Sequence, residues 1–208
     1  MKFTLCVLFI IMLSMQIDAK PVAIRYTLGM SKPSTHFFEV ELTIDYLSRS
    51  EKQIDFCMPV WRPGRYLVLD LAGGVQEFSA SEASGNDLAW KKIDKATWRV
   101  ESRGSASVTI RYKVYANEFN LRTRGLNHEH GFVDGTAVFM YVEKYRTVPA
   151  TLTVHPFNDW HVTTGLDSVE GKRNEFTAPN YDVLVDCPLE IGTQQDFPFD
   201  VDGTPHVL

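Results

Sequence analysis

The sequence predicts an all-β fold, an antiparallel β-sandwich, and three observations predict it. Apolar and polar residues alternate with a period of two along much of the chain, the pattern of strands with one buried and one wet face. Turn chemistry recurs roughly every ten residues, the spacing of a sandwich or barrel. A helical stripe about 12 residues long is found nowhere in the chain.

Residues 1–19 read as a cleavable signal peptide: Lys2 is a short positive start, residues 5–15 are apolar apart from Ser14, and Ala19 suits signal-peptidase cleavage. The run is too short for a span of about 20 residues, so the mature chain has no transmembrane segment and is secreted or periplasmic. Residues 20–192 form the domain. Ile24, Tyr26, Leu28 and Met30 mark a first strand, and Phe38, Val40, Leu42, Ile44 and Tyr46 a second. Ile54, Phe56, Met58 and Val60 continue the alternation, with Pro63-Gly64 set for a type II turn. Strands follow at residues 75–81, 88–93, 97–101, 108–114, 137–142, 151–155 and 160–164. Residues 181–187 form either one helical turn or an edge strand. Residues 193–208 are a linker and an unfinished hairpin around Asp202-Gly203, as if the reading frame stopped early relative to an ancestor.

Composition narrows function. The chain has 208 residues, 44% hydrophobic, with 13 Phe, 8 Tyr and 4 Trp to build a core. These values exclude a disordered tail or a disulfide-dense miniprotein. The net charge of −5 leaves no basic footprint for nucleic acid. After signal cleavage Cys57 and Cys187 remain. In an oxidising compartment they either pair, closing a long loop worth about 4–5 kcal/mol in the chain-entropy picture, or stay separate thiols.

A zinc-protease helix needs His-Glu-x-x-His, and the position that would hold its second His after His128-Glu129 is Phe132. His128 and His130 share one side of an extended strand as an H-x-H pair, which would need a third metal ligand from afar, such as His155 or His161. The alternative is two polar residues in an exposed loop. Arg122 and Arg124 give the stretch from Asn117 to His130 a mixed charge suited to an anion or a peptide terminus, or simply to a solvated connection.

Ordered segments carry a resemblance. Tyr26-Thr27-Leu28-Gly29-Met30, then Met58-Pro59-Val60-Trp61-Arg62-Pro63-Gly64-Arg65-Tyr66-Leu67, then Tyr112-Lys113-Val114-Tyr115-Ala116-Asn117-Glu118 resemble the N-terminal β domain of the glycyl aminopeptidase family of zinc metallopeptidases. Phe176-Thr177-Ala178-Pro179-Asn180-Tyr181-Asp182 and Leu184-Val185-Asp186-Cys187-Pro188-Leu189-Glu190-Ile191-Gly192 extend it. In that family the β domain precedes a catalytic domain carrying His-Glu-x-x-His. The resemblance implies a β domain that helps wall a substrate cleft, with the loop bearing Asn117, Arg122, Arg124, His128 and His130 as the cleft-facing edge. Gly73-Gly74, Cys57 and Cys187 depart from the family pattern.

The expected function is therefore a non-catalytic, secreted module without a zinc site or cofactor, zinc being expected only in full-length relatives. Its implied partners are peptides or a missing catalytic domain. The alternatives are a stand-alone module binding peptides or an envelope partner, and a small metal-dependent hydrolase built on His128 and His130.

Overall fold

The computed structural model describes residues 20–62, 67–118 and 123–207. The signal-peptide reading, the Pro63-Gly64 turn and Arg122 lie outside the described residues. Strands account for 46% of the described residues and helix for 11%, which makes the fold all-β.

In chain order the strands are β1 (Ala23–Gly29), β2 (Phe37–Asp45), β3 (Ile54–Cys57), β4 (Val75–Glu82), β5 (Trp90–Lys92), β6 (Thr97–Val100), β7 (Ser107–Tyr115), β8 (Arg124–Leu126), β9 (His130–Val133), β10 (Ala150–His155), β11 (His161–Thr164), β12 (Asp167–Ser168) and β13 (Glu175–Ala178). One helix, α1 (Tyr181–Asp186), precedes β14 (Leu189–Gly192), and β15 (Pro198–Val201) and β16 (Thr204–Val207) end the described chain.

The central sheet has the order β12-β13-β10-β1-β2-β7-β4. Its middle is the alternation read from the sequence. Phe38, Val40, Leu42 and Ile44 of β2 are buried, and so are Val108, Ile110, Tyr112 and Val114 of β7. Register sets Val40 opposite Tyr112 and Leu42 opposite Ile110, so both apolar sets share one face. The expectation of purely antiparallel sheets needs a correction: β1 pairs antiparallel with β2 but parallel with β10, Tyr26 facing Leu152. A parallel pair requires a long crossover, and everything from β2 to β9 supplies it.

Two smaller sheets complete the body, one of order β3-β6-β5 and one of order β11-β14-β9-β8. Phe78 of β4 ties the first to the central sheet, its ring 4.8 Å from Trp90, 5.6 Å from Trp98 and 6.5 Å from Tyr112. The hairpin β15–β16 is exposed throughout, with Phe199 stacked on His206 at 5.3 Å.

Two expectations change. Residues 137–142, expected as a strand, are irregular. Asp134 caps a 3-10 turn over Gly135–Ala137, accepting from the Thr136 amide at 3.1 Å, and Val138, Phe139 and Met140 then run fully buried. Residues 181–187 resolve to the helical alternative because Asn180 accepts a capping bond from the Val183 amide at 2.9 Å. Tyr181 and Leu184 then fall on one buried face.

Candidate functional site

The buried irregular segment is what positions the site. Its backbone carbonyls lack sheet partners, and a buried carbonyl must be satisfied. Four side chains do this in series. Arg124 Nη1 donates to Ala137 O at 2.9 Å, Tyr112 Oη to Val138 O at 2.9 Å, Tyr181 Oη to Phe139 O at 2.8 Å and Tyr26 Oη to Met140 O at 2.8 Å. Tyr112 Oη also accepts from the Met140 amide at 2.9 Å. Burial raises the pKa of all three phenols, so they stay neutral donors. The next residue, Tyr141, exchanges backbone hydrogen bonds with Cys57 at 2.8 and 2.9 Å.

The clamp delivers Tyr141 to the wall of a groove of about 680 Å³. One wall is the segment from Pro59 to Arg62, another is Phe132, Asp134 and Thr136, and the third is α1 with Pro188. Trp61 stands half exposed (50%), an unusual state for so large an apolar ring. Tyr141 packs on Tyr181 with ring centroids 4.8 Å apart, and the Arg146 guanidinium lies 5.8 Å from the Tyr141 ring centre. Two charge pairs stand in the groove, and Asp186 lines it as an exposed carboxylate. Arg62 meets Asp134, both largely buried, and Arg146 donates to Asp182 at 2.8 Å. That bond raises the Arg146 pKa, and burial raises that of the Tyr141 phenol. A wall of this kind offers apolar and aromatic contact with fixed charges at its margin, the usual chemistry of a small-ligand or peptide groove.

The residues expected at the cleft edge are dispersed. Asn117 is exposed and donates to Tyr115 Oη at 3.3 Å, and His128 is exposed in a turn beside Glu129. His130 is half exposed, its Nε2 3.7 Å from Glu190 Oε2. Burial raises the Glu190 carboxyl pKa and His130 lowers it. None of Asn117, Arg124, His128 and His130 lines the groove; among the described residues from Asn117 to Gly135, Phe132 and Asp134 do. Arg124 needs a correction as a candidate anion hook. It is 9% exposed, points inward and donates to Tyr115 O at 2.7 Å as well as to Ala137 O. Burial lowers its pKa.

Cys57 and Cys187 are free thiols, so the possible disulfide is not formed. Cys57 is held on β3 by Tyr141, while Cys187 follows α1 and faces Gly165. Sequence reasoning missed Tyr141, Arg146 and Asp182 as groove residues. The signal that could have found Tyr141 and Arg146 is the aromatic and charged density of residues 139–146, which a strand assignment concealed.

The family model described as the Peptidase M61 N-terminal domain matches residues 25–193. The chain belongs to this family. All the groove walls of this M61 N-terminal domain fall inside the matched range, and the β15–β16 hairpin falls beyond it. Among solved structures, the domain is similar to a crystal structure described as an aminopeptidase N family protein from Idiomarina loihiensis, at 30% identity and a TM-score of 0.82. The similarity covers 88% of this chain and 32% of that one, so the M61 domain here spans about a third of the solved chain. The search of curated proteins finds no match.

Proposed function

We propose that this M61 N-terminal domain is a secreted, non-catalytic module that forms one wall of a peptide-binding cleft in an aminopeptidase-type protein. The observation that carries this reading is the groove itself. A half-exposed Trp61 and a clamped Tyr141 stand in it beside the Arg62–Asp134 and Arg146–Asp182 pairs, with apolar surface left to receive a ligand. The membership in an N-terminal peptidase-domain family and the likeness to an aminopeptidase N family protein support a peptide as the ligand class. The signal-peptide reading of residues 1–19 supports secretion. Among the described residues no helix is long and apolar enough to cross a membrane.

The module contributes contacts, and hydrolysis belongs to another part of such proteins. Isothermal titration calorimetry, with short apolar peptides as titrant, tests the binding step. Wild type is expected to bind weakly and saturably, and Trp61→Ala to lose binding while keeping its far-UV circular dichroism. Equal binding by Trp61→Ala and wild type would remove the groove from the account.

A further inference from the structure

Among the described residues, the groove carries one more carboxylate than guanidinium. Arg62 and Arg146 line it with Asp134, Asp182 and Asp186. Arg62 takes Asp134, and Arg146 donates through Nε and Nη2 to Asp182 Oδ1, both at 2.8 Å. Asp186 stands exposed at the end of α1, with no basic residue in that last turn, and it forms no ion pair with a described residue. Asp182 and Asp186 are four residues apart, so both carboxylates project from one face of the helix.

That placement is unfavourable by itself. Like charges at i and i+4 repel, and a carboxylate in the last helical turn opposes the helix dipole. A cation brought by a ligand relieves both. The surroundings of Asp186 set the kind of cation. Val183, Val185 and Pro188 line the groove from the same wall, and the half-exposed Trp61 ring stands on another. An apolar strip beside a carboxylate matches a side chain with an aliphatic stem and a charged head. A peptide's terminal ammonium has no stem to cover that strip.

We propose that Asp186 selects peptides carrying a basic side chain, Lys or Arg, whose stem lies along Val183, Val185 and Pro188 and whose head pairs with the Asp186 carboxylate. This rests on the peptide-groove reading above and adds a specificity to it. Asp186 is open to solvent, so the pair is a partly screened one that weakens as ionic strength rises. The Trp61 ring is left for an apolar neighbour of the basic residue.

Isothermal titration of the purified chain with a pair of end-blocked peptides tests this, with circular dichroism of each variant as a folding control. The pair is acetyl-Phe-Ala-Lys-Ala-amide and the same peptide with its lysine Nε-acetylated. Wild type is expected to bind the charged peptide about three- to fivefold more tightly at low salt. Raising NaCl to about 1 M should erase most of that preference. Asp186→Asn should bring the two affinities together, and Asp186→Lys should reverse their order. Asp159→Asn, which removes an exposed carboxylate outside the groove, should keep the full preference. Equal affinity of wild type for the two peptides, or a preference that survives Asp186→Asn, would overturn the inference and leave the peptide-groove reading standing. A preference seen only for peptides with a free N-terminus would assign the carboxylate to the terminal ammonium and overturn it as well. Binding of neither peptide would remove the groove reading and the inference with it.

Discussion

The guanidinium of Arg124 lies against the Cα of Gly74, in the space a side chain would fill. A Cβ at Gly74 would overlap Arg124 Nη2 and stand 3.0 Å from its Cζ and 3.4 Å from Tyr115 O. The Gly73-Gly74 pair that departs from the family pattern thus has a physical reason at its second member. It admits the buried cation that satisfies the carbonyls of Tyr115 and Ala137. Gly74→Ala should cost about 1–3 kcal/mol through overpacking. Arg124→Met, which strands two carbonyls, should cost about 2–4 kcal/mol. The two changes together should cost less than their sum, because the clash needs both partners. Urea unfolding of the four proteins measures this cycle, and strict additivity would separate the two residues.

The tyrosine clamp predicts a ranking. Tyr112 makes two hydrogen bonds through its hydroxyl, donating to Val138 O and accepting from the Met140 amide, whereas Tyr181 makes one, to Phe139 O. Each Phe substitution leaves buried backbone groups unpaired at about 1–3 kcal/mol per group. Tyr112→Phe should therefore destabilise more than Tyr181→Phe in chemical denaturation. The reverse order would mean that the hydroxyls do not hold the segment.

An acid-side dependence follows from Asp55. Nε and Nη2 of Arg99 each donate to its carboxylate at 2.7 Å, and this bonding holds the Asp55 carboxyl below its ordinary value of 3.8. A carboxyl whose folded pKa is depressed stabilises the fold above its unfolded pKa and loses that contribution as pH falls through the folded pKa. The stability gap between wild type and Asp55→Asn should thus be flat above about pH 5 and shrink steadily below about pH 4. The pair is partly exposed, so the gap itself should be small. A gap that widened on acidification would contradict the assignment.

The two thiols should behave as free and slow to react, since burial raises both above their ordinary pKa. Iodoacetamide added after denaturation without reductant should label the peptides containing Cys57 and Cys187, as read by mass spectrometry. Labelling that required prior reduction would establish the disulfide instead.

The sequence made the long strands legible because their alternation is local. Phe38 to Ile44 and Val108 to Val114 declare their buried face without reference to anything else. The short strands β8, β9 and β14 were not legible, because Gly125, Gly131 and Gly192 interrupt the alternation. The buried segment was misread for a different reason. Val138, Phe139 and Met140 are apolar as a strand would be, but their partners are side chains 26, 42 and 114 residues away in sequence. No periodicity encodes such contacts. The groove inherits this problem: Tyr141 reaches it only because that clamp is in place, while Arg124, conspicuous in sequence as a cation in a loop, turns inward.

The role proposed for this domain is to contact peptides without cleaving them. Release of free amino acids from a panel of N-terminally unblocked di- and tripeptides, followed with and without a metal chelator, tests it most directly. No release above the buffer control is expected in either condition, including in the presence of added zinc. Sustained release that the chelator abolishes, and that tracks the purified chain through size-exclusion chromatography, would contradict it.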